Sequence, residues 1–270
     1  MKKIISVVLI LVLSVAMTVA FGGCKSGGTS GTSGTSSSGA SAAASGDAYE
    51  VYTAANTALQ AAAGFSADTD ITMGMTVAGQ KMDIALTGDI LYSKVSDSEI
   101  QMQMNQSMDL SGAAIQMESY YKDGYMYTSV MGMKQKMQTP LEQAMTTGQT
   151  PNFKKEDIKD SSITESGGNK VLNFTIAGEG LKDVVMQSMP SSLVSTASAA
   201  DFTFTDAKIT ATVDADGNMI SSEVSMTFTM TVSGQAMDAS MDMKTNNIKI
   251  GAQTITFPAD LDTYTETPAS

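Results

Sequence analysis

Apolar and polar positions change period three times along this chain. Ile4 to Phe21 is an uncharged, strongly apolar run, and Lys25 to Gly46 has no apolar period at all. From Asp47 to Ala63 apolar residues recur at helical spacing, at Val51, Ala55, Leu59 and Ala62. Asp47 is placed to cap that helix, Glu50 favours its first turn, and Gly64 is a natural stop. From Phe65 the period is two. Phe65, Ala67, Thr69, Ile71, Met73, Met75 and Val77 share one face of a predicted strand, and Met82, Ile84 and Leu86 continue the pattern after a turn at Gly79-Gln80.

Further period-two runs cover 100–110, 114–121, 125–130, 171–177, 202–213, 219–232 and 236–243, with Ile248, Ile250 and Ile255 closing the pattern near Pro258. Asp123-Gly124, Gly167-Gly168-Asn169 and Asp214 to Gly217 are hairpin signals between them. Two interruptions read as helical, 140–147 and 181–194, the second kinked by Pro190. The prediction is an α+β, mostly β fold, in which a large curved antiparallel sheet has one apolar face and a few helices cover it. The segment Met75 to Asp83 repeats at Met230 to Asp238 with seven of nine residues identical, so two hairpins of this sheet are alike in sequence.

The first 46 residues give the address. Lys2 and Lys3 precede the apolar run, and Gly22-Gly23 precede the single cysteine, Cys24. That order predicts a lipoprotein signal peptide over 1–23, with Cys24 acylated as the mature N-terminus. The position three before the cysteine holds Phe21, where Leu is usual. The Gly/Ser/Thr-rich stretch 24–46 is then a flexible tether whose 22 residues beyond Cys24 reach about 25 Å. Residues 47–270 form a single domain.

Composition narrows the chemistry. The chain has 16 Lys+Arg, 28 Asp+Glu and no His, for a net charge of -12, and all its basic residues are Lys. Without His there is no Ser-His-Asp triad, no Cys-His dyad and no His-ligated metal. One Cys makes neither a disulfide nor a thiolate cluster. An acidic chain without Arg has no basic patch for nucleic acid. Asp214-x-Asp216-Gly217-Asn218 resembles the start of a calcium loop, but Ser225 stands where its twelfth ligand belongs, so it reads as a turn. The expectation is a protein that is not an enzyme and holds no cofactor or metal.

The 22 methionines are the feature that remains. Met-x-Met occurs at 73/75, 102/104, 131/133 and 241/243, and in a strand each pair points the same way. Three readings stay open: core filling by a flexible thioether, an adaptable apolar pocket, and a soft-sulfur Cu(I) site. The methionines spread over nearly every predicted strand, which weakens the last. Tyr120, Tyr121, Tyr125 and Tyr127 gather at one hairpin, where a two-residue turn would bring Tyr121, Tyr125 and Tyr127 together.

The signal, tether and helix, the Gly-Gln-x-Met-Asp hairpins, and the segment Glu118 to Tyr127 followed by Gly132-Met133-Lys134 resemble a group of uncharacterised surface lipoproteins of Gram-positive bacteria. In outline these are similar to LolA/LolB-like and LppX/LprG-like lipoproteins. The resemblance implies an unclosed half-barrel wrapped over helices, with an apolar cavity for acyl chains. Because this chain has no Arg, the cavity Arg of the LolA type is not implied. The expected function is therefore a monomeric lipoprotein, held on the outer face of the cell membrane through Cys24, that binds a lipid or other apolar molecule. Its wall would comprise Ile71, Met73, Met75, Met82, Met102, Met104, Met226 and Met230. The alternatives are a structural or interaction lipoprotein with a filled core, and Met-based Cu(I) binding.

Overall fold

The structure, a computed structural model, describes residues 47–77, 80–110, 113–141, 144, 153–181, 202–232 and 235–267. The expected signal, Cys24 and tether lie outside the described residues, as do most of the predicted helices 140–147 and 181–194. Helix α1 (Ala48–Ala61) begins where the sequence predicts. The Asp47 carboxylate accepts a hydrogen bond from the Tyr49 N–H at 3.0 Å, satisfying one of the free donors of the first turn. Its buried stripe is Ala48, Tyr52, Ala55, Asn56 and Leu59, rotated from the expected Val51-to-Ala62 stripe. The rotation seats Tyr52 among rings, 5.1 Å from Phe153 and 5.6 Å from Phe174.

The strands follow as β1 (Gly64–Val77), β2 (Gln80–Ser96), β3 (Glu99–Leu110), β4 (Ala113–Lys122), β5 (Tyr125–Val130), β6 (Met133–Gln138), β7 (Ile158–Ser166) and β8 (Asn169–Ile176). They continue as β9 (Phe202–Phe204), β10 (Ala207–Val213), β11 (Met219–Val232), β12 (Gln235–Ile250) and β13 (Thr265–Thr267). All join one sheet in the order β13-β6-β5-β4-β3-β2-β1-β12-β11-β10-β8-β7, with β9 beside β11. Every pairing is antiparallel except β13 with β6. β13 and β7 stand at opposite ends of the order, so the sheet is unclosed. The like-sequence hairpins β1–β2 and β11–β12 lie side by side at its centre, joined by β1 and β12.

Alternation divides each strand between an inner face, on which the core is built, and an outer face that is largely polar. α1 packs chiefly on the inner face of β7, β8, β10 and β11. Two ends of the sheet are also distinct. At the upper end β1 passes to β2 and β11 to β12, while the β5–β6 turn stands lower, level with the middle of β4. At the lower end are the turns Asp97-Ser98, Asp123-Gly124 and Gly167-Gly168.

The structure corrects the strand pattern in four places. β6 was not foreseen, because Met133-Lys-Gln-Lys-Met-Gln138 has no buried face to announce it. The predicted strand 202–213 breaks at Thr205-Asp206, where Asp206 takes Lys159 at 2.7 Å and the Gly178 N–H at 3.3 Å. β12 runs on through the polar stretch Lys244 to Asn247, and residues 252–258, Ile255 among them, form no strand. A bulge lets β12 do so. Asn247 has φ 51 and donates to the Asp68 carboxylate at 2.6 Å, the extra residue shifts the register opposite Ser66 and Asp68, and the inner position moves from Thr245 to Ile248.

After β12 the chain crosses the outer face of the sheet to reach β6. Phe257 packs on Tyr120 with ring centroids 6.2 Å apart, and Tyr264 meets Tyr127 edge-on at 5.6 Å. Lys134 pairs with Asp260, and Lys136 lies 3.7 Å from Glu266. The predicted tyrosine grouping is thereby corrected. The turn does have two residues, but register sets Tyr120 against Tyr127 and Tyr121 against Met126. Tyr120, Tyr125 and Tyr127 face outward, while Tyr121 points inward and donates to the Thr139 carbonyl at 3.2 Å.

Candidate functional site

Register assembles the inner face row by row. Met73 on β1 stands between Ile84 on β2 and Met241 on β12, and Met241 in turn opposes Met226 on β11. One row higher, Met75 lies between Met82 and Ala239, and Ala239 opposes Phe228. One row lower, Ile71 lies between Leu86 and Met243, with Met108 beyond Leu86 and Val224 beyond Met243. These three rows form an apolar wall four to five strands wide at the upper half of the inner face. Met73, Met75, Met108, Met226, Met241 and Met243 are all buried in it. Side chains of this kind fill irregular gaps and repack around whatever they touch.

Below the wall the face changes character. The next row runs Gln106, Gly88, Thr69, Thr245, Ser222 across five strands. Gln106, Thr245 and Ser222 are buried. Gly88 permits the close approach here, since a Cβ on it would lie 2.4 Å from the Asn105 carbonyl oxygen and 3.0 Å from Cγ of Gln106. The Ser222 hydroxyl has no hydrogen-bond partner among the described residues, nor has that of Ser119, which lies one row lower opposite Met104. Burial of an unpartnered hydroxyl costs about 1–3 kcal/mol. Below this polar row lies a second apolar zone of Phe65, Tyr92, Ile90, Met102 and Met104, in which Phe65 and Tyr92 stack at 5.1 Å.

The predicted wall residues therefore separate into two groups. Ile71, Met73, Met75, Met82 and Met226 are brought together in the upper wall, Met82 half-buried and the rest buried. Met102 and Met104 are also buried on the inner face but sit in the lower zone, across the polar row. Met230 belongs to β11, and its side chain lies outside the described residues. Of the paired methionines, Met131 and Met133 are not on the wall: they are 74% and 65% exposed at the β5–β6 turn. The methionines are also more clustered than their even spread in sequence suggested, with Met73, Met226 and Met241 in one row. The predicted wall left out Ile84, Leu86, Met108, Met241, Met243 and Phe228, which the register places in it. Met241/Met243 had a sequence signal in their Met-x-Met spacing, but only the pairing of β12 with β1 shows that they belong beside Met73.

The outer face behind the wall carries a polar groove of about 460 Å³, lined in part by Gly74, Lys81, Asp83, Thr229, Asp238 and Ser240. Gly74 holds it open, because a Cβ there would come within 2.9 Å of the Ser240 hydroxyl. Thr229 donates to Asp238 at 3.0 Å on its floor.

A single family pattern matches residues 47–262, from the α1 cap to the segment that crosses the outer face. The chain belongs to DUF6612, a family of unknown function. No curated protein matches it. Among solved structures the DUF6612 chain is similar to LprF from Mycobacterium bovis, at 13% identity and a TM-score of 0.36, covering 78% of this chain and 95% of that one. It is also similar to a putative outer membrane lipoprotein-sorting protein domain from Vibrio parahaemolyticus, at 11% identity and a TM-score of 0.22, covering 80% and 98%. A DUF1329 family protein from Desulfovibrio piger is similar at 6% identity and a TM-score of 0.25, covering 79% and 95%. Among the described residues of the DUF6612 chain, no helix is long and apolar enough to cross a membrane.

Proposed function

We propose that this DUF6612 protein is a lipoprotein anchored through Cys24 on the extracytoplasmic side of the membrane, and that it holds a lipid or other apolar molecule against its upper inner wall without chemical conversion. The observation that carries the reading is the breadth of that wall. Rows headed by Ile71, Met73 and Met75 extend from β2 or β3 to β11, while the main contacts of α1 are with β7, β8, β10 and β11. Ligand sites are typically apolar surfaces with few polar groups, and thioether side chains adapt to varied hydrocarbon shapes. The polar row from Gln106 to Ser222 bounds the wall below and would meet the polar part of an amphiphile.

Native mass spectrometry of the protein released from its membrane, with extraction of any co-purifying lipid, tests the reading. Binding of a fluorescent fatty acid should be weakened by Met226→Glu, which places a charge in the wall. Absence of co-purifying lipid together with no binding of the probe would favour a filled core.

The gathering of Met73, Met226 and Met241 in one row also supports a second reading, soft-sulfur binding of Cu(I). A Cu(I) titration under reducing conditions decides it: submicromolar binding that Met241→Leu abolishes would establish the site, and no such binding would dispose of it.

A further inference from the structure

The two like-sequence hairpins part company at an outer position. Met75 to Asp83 corresponds to Met230 to Asp238, so Gly74 corresponds to Thr229. The register keeps that correspondence: Asp238 stands opposite Thr229, and Asp83 stands opposite Gly74. Both outward carboxylates of β12 take a hydroxyl from β11, Asp238 from Thr229 at 3.0 Å and Asp242 from Ser225 at 2.6 Å. Asp83 faces a glycine and has no hydroxyl in that place. Among the described residues it has neither a hydrogen bond nor an ion pair.

The absent side chain is what opens the outer groove of about 460 Å³. A Cβ on Gly74 would lie 2.9 Å from the Ser240 hydroxyl and 3.4 Å from Oδ1 of Asp83, so a hydroxyl and an unpaired carboxylate converge over the bare Cα. Thr205, Thr227, Asp238 and Lys81 border the same space. Two carboxylates against one amine turn away an anion, and the net charge of -12 draws cations toward the surface. A divalent ion needs more hard oxygen ligands than this, and no group of three acidic side chains able to hold one occurs among the described residues. An ammonium group is a better match, because its three donors suit one carboxylate and one hydroxyl. The threonine hydroxyls can donate and accept, which suits a ligand that bears hydroxyls of its own. The volume lies within the range of small-molecule sites.

We propose that the groove over Gly74 binds an amino sugar with a free amine. Its ammonium donates to Oδ1 of Asp83 and to the Ser240 hydroxyl, and its ring hydroxyls exchange hydrogen bonds with Thr205, Thr227 and Asp238. The site lies on the face opposite the apolar wall and does not depend on that wall holding a lipid.

The test uses the full chain in micelles of a polyoxyethylene detergent, which carries no sugar, at low ionic strength and about pH 6, where a carboxylate is ionised and an amine protonated. Ligand-observed saturation-transfer NMR compares glucosamine, glucose, N-acetylglucosamine and methylamine. Glucosamine should bind, and each of the others should bind about tenfold more weakly or worse, since each lacks either the charge or the hydroxyls. Asp83→Asn should weaken glucosamine binding by about tenfold. Gly74→Thr copies the pairing of Thr229 with Asp238, and should abolish binding while leaving Tm nearly unchanged. Should that variant fail to fold, Asp83→Asn decides the matter alone, because Asp83 is exposed. Glucose or N-acetylglucosamine binding as well as glucosamine overturns the ammonium contact. Methylamine binding as well as glucosamine overturns the assignment to a sugar. Absence of glucosamine binding, or binding that Asp83→Asn leaves unchanged, overturns the site.

Discussion

Met73 on β1 and Met241 on β12 face each other across the seam where the two like-sequence hairpins meet, with 2% and 6% of their surfaces exposed. Met241→Ala should remove about 2–5 kcal/mol of stability, the range for deleting a large buried side chain. Met241→Leu keeps the volume and should cost under about 1.5 kcal/mol. Urea unfolding of the two variants gives both values. A small cost for the alanine variant would mean that the row is loosely packed.

Ser119 and Ser222 point the other way. Their hydroxyls are buried and have no hydrogen-bond partner among the described residues, so an alanine at either position removes an unsatisfied group at little loss of volume. Ser119→Ala and Ser222→Ala should each leave the midpoint of urea unfolding unchanged or raise stability by up to about 1 kcal/mol. Ser222→Ala should also weaken binding of an amphiphile with a polar head, while leaving a plain hydrocarbon probe unaffected. Clear destabilisation by either variant would show that the hydroxyl has a partner after all.

The C-terminal crossing is held by Phe257 on Tyr120, Tyr264 on Tyr127, Lys134 with Asp260, and Lys136 near Glu266, among other contacts. The ion pairs are exposed and contribute little, whereas each aromatic pair adds about 0.5–1.5 kcal/mol beyond its buried area. Tyr264→Ala should therefore loosen β13 and the β5–β6 hairpin well before the rest of the sheet. Hydrogen exchange should show faster amide exchange in 125–138 with little change in β1 and β12. Acceleration spread evenly over the sheet would contradict a local clasp.

Acid should weaken the fold through a small set of carboxylates. A hydrogen bond from Lys155 holds Asp47 below its ordinary value of 3.8. Lys159 does the same for Asp206 and Lys134 for Asp260. Asp214 is lowered chiefly by the Asn218 backbone N–H. In each case the unfolded chain takes up the proton first, so the stabilisation is present above the ordinary carboxylate range and is lost as pH falls through it. Asp47→Asn retains a capping oxygen but loses the ion pair with Lys155. Its deficit relative to wild type, measured in urea, should be present at pH 7 and shrink below about pH 4.

What the sequence could disclose depended on whether a residue's burial is set within its own strand or by a neighbour. Phe65 to Met75 alternate so strictly that their face was legible, and Asp47 announced the α1 start. The strand Met133 to Gln138 has no buried side and was silent. Lys244 to Asn247 interrupts the apolar alternation, yet the bulge at Asn247 keeps β12 in the sheet. The division of the predicted wall by the row from Gln106 to Ser222 depends on pairing across five strands, which no single strand encodes.

The turn residues Met131 and Asp123 supply the last prediction. Both occupy the left-handed first position of a two-residue turn followed by glycine, and only Asp123 suits it. Left-handed backbone costs an ordinary L-residue about 1–2 kcal/mol, a penalty that Asn largely avoids. Met131→Asn leaves the inner wall untouched because the side chain is exposed. It should therefore stabilise the protein by about 1 kcal/mol and raise Tm by about 2–4 °C in a domain of this size. The reverse change, Asp123→Met, should lower Tm by a similar amount. A fall in Tm on Met131→Asn would show instead that the thioether makes stabilising contacts within the hairpin, and would remove the argument that its position is unfavourable for the fold.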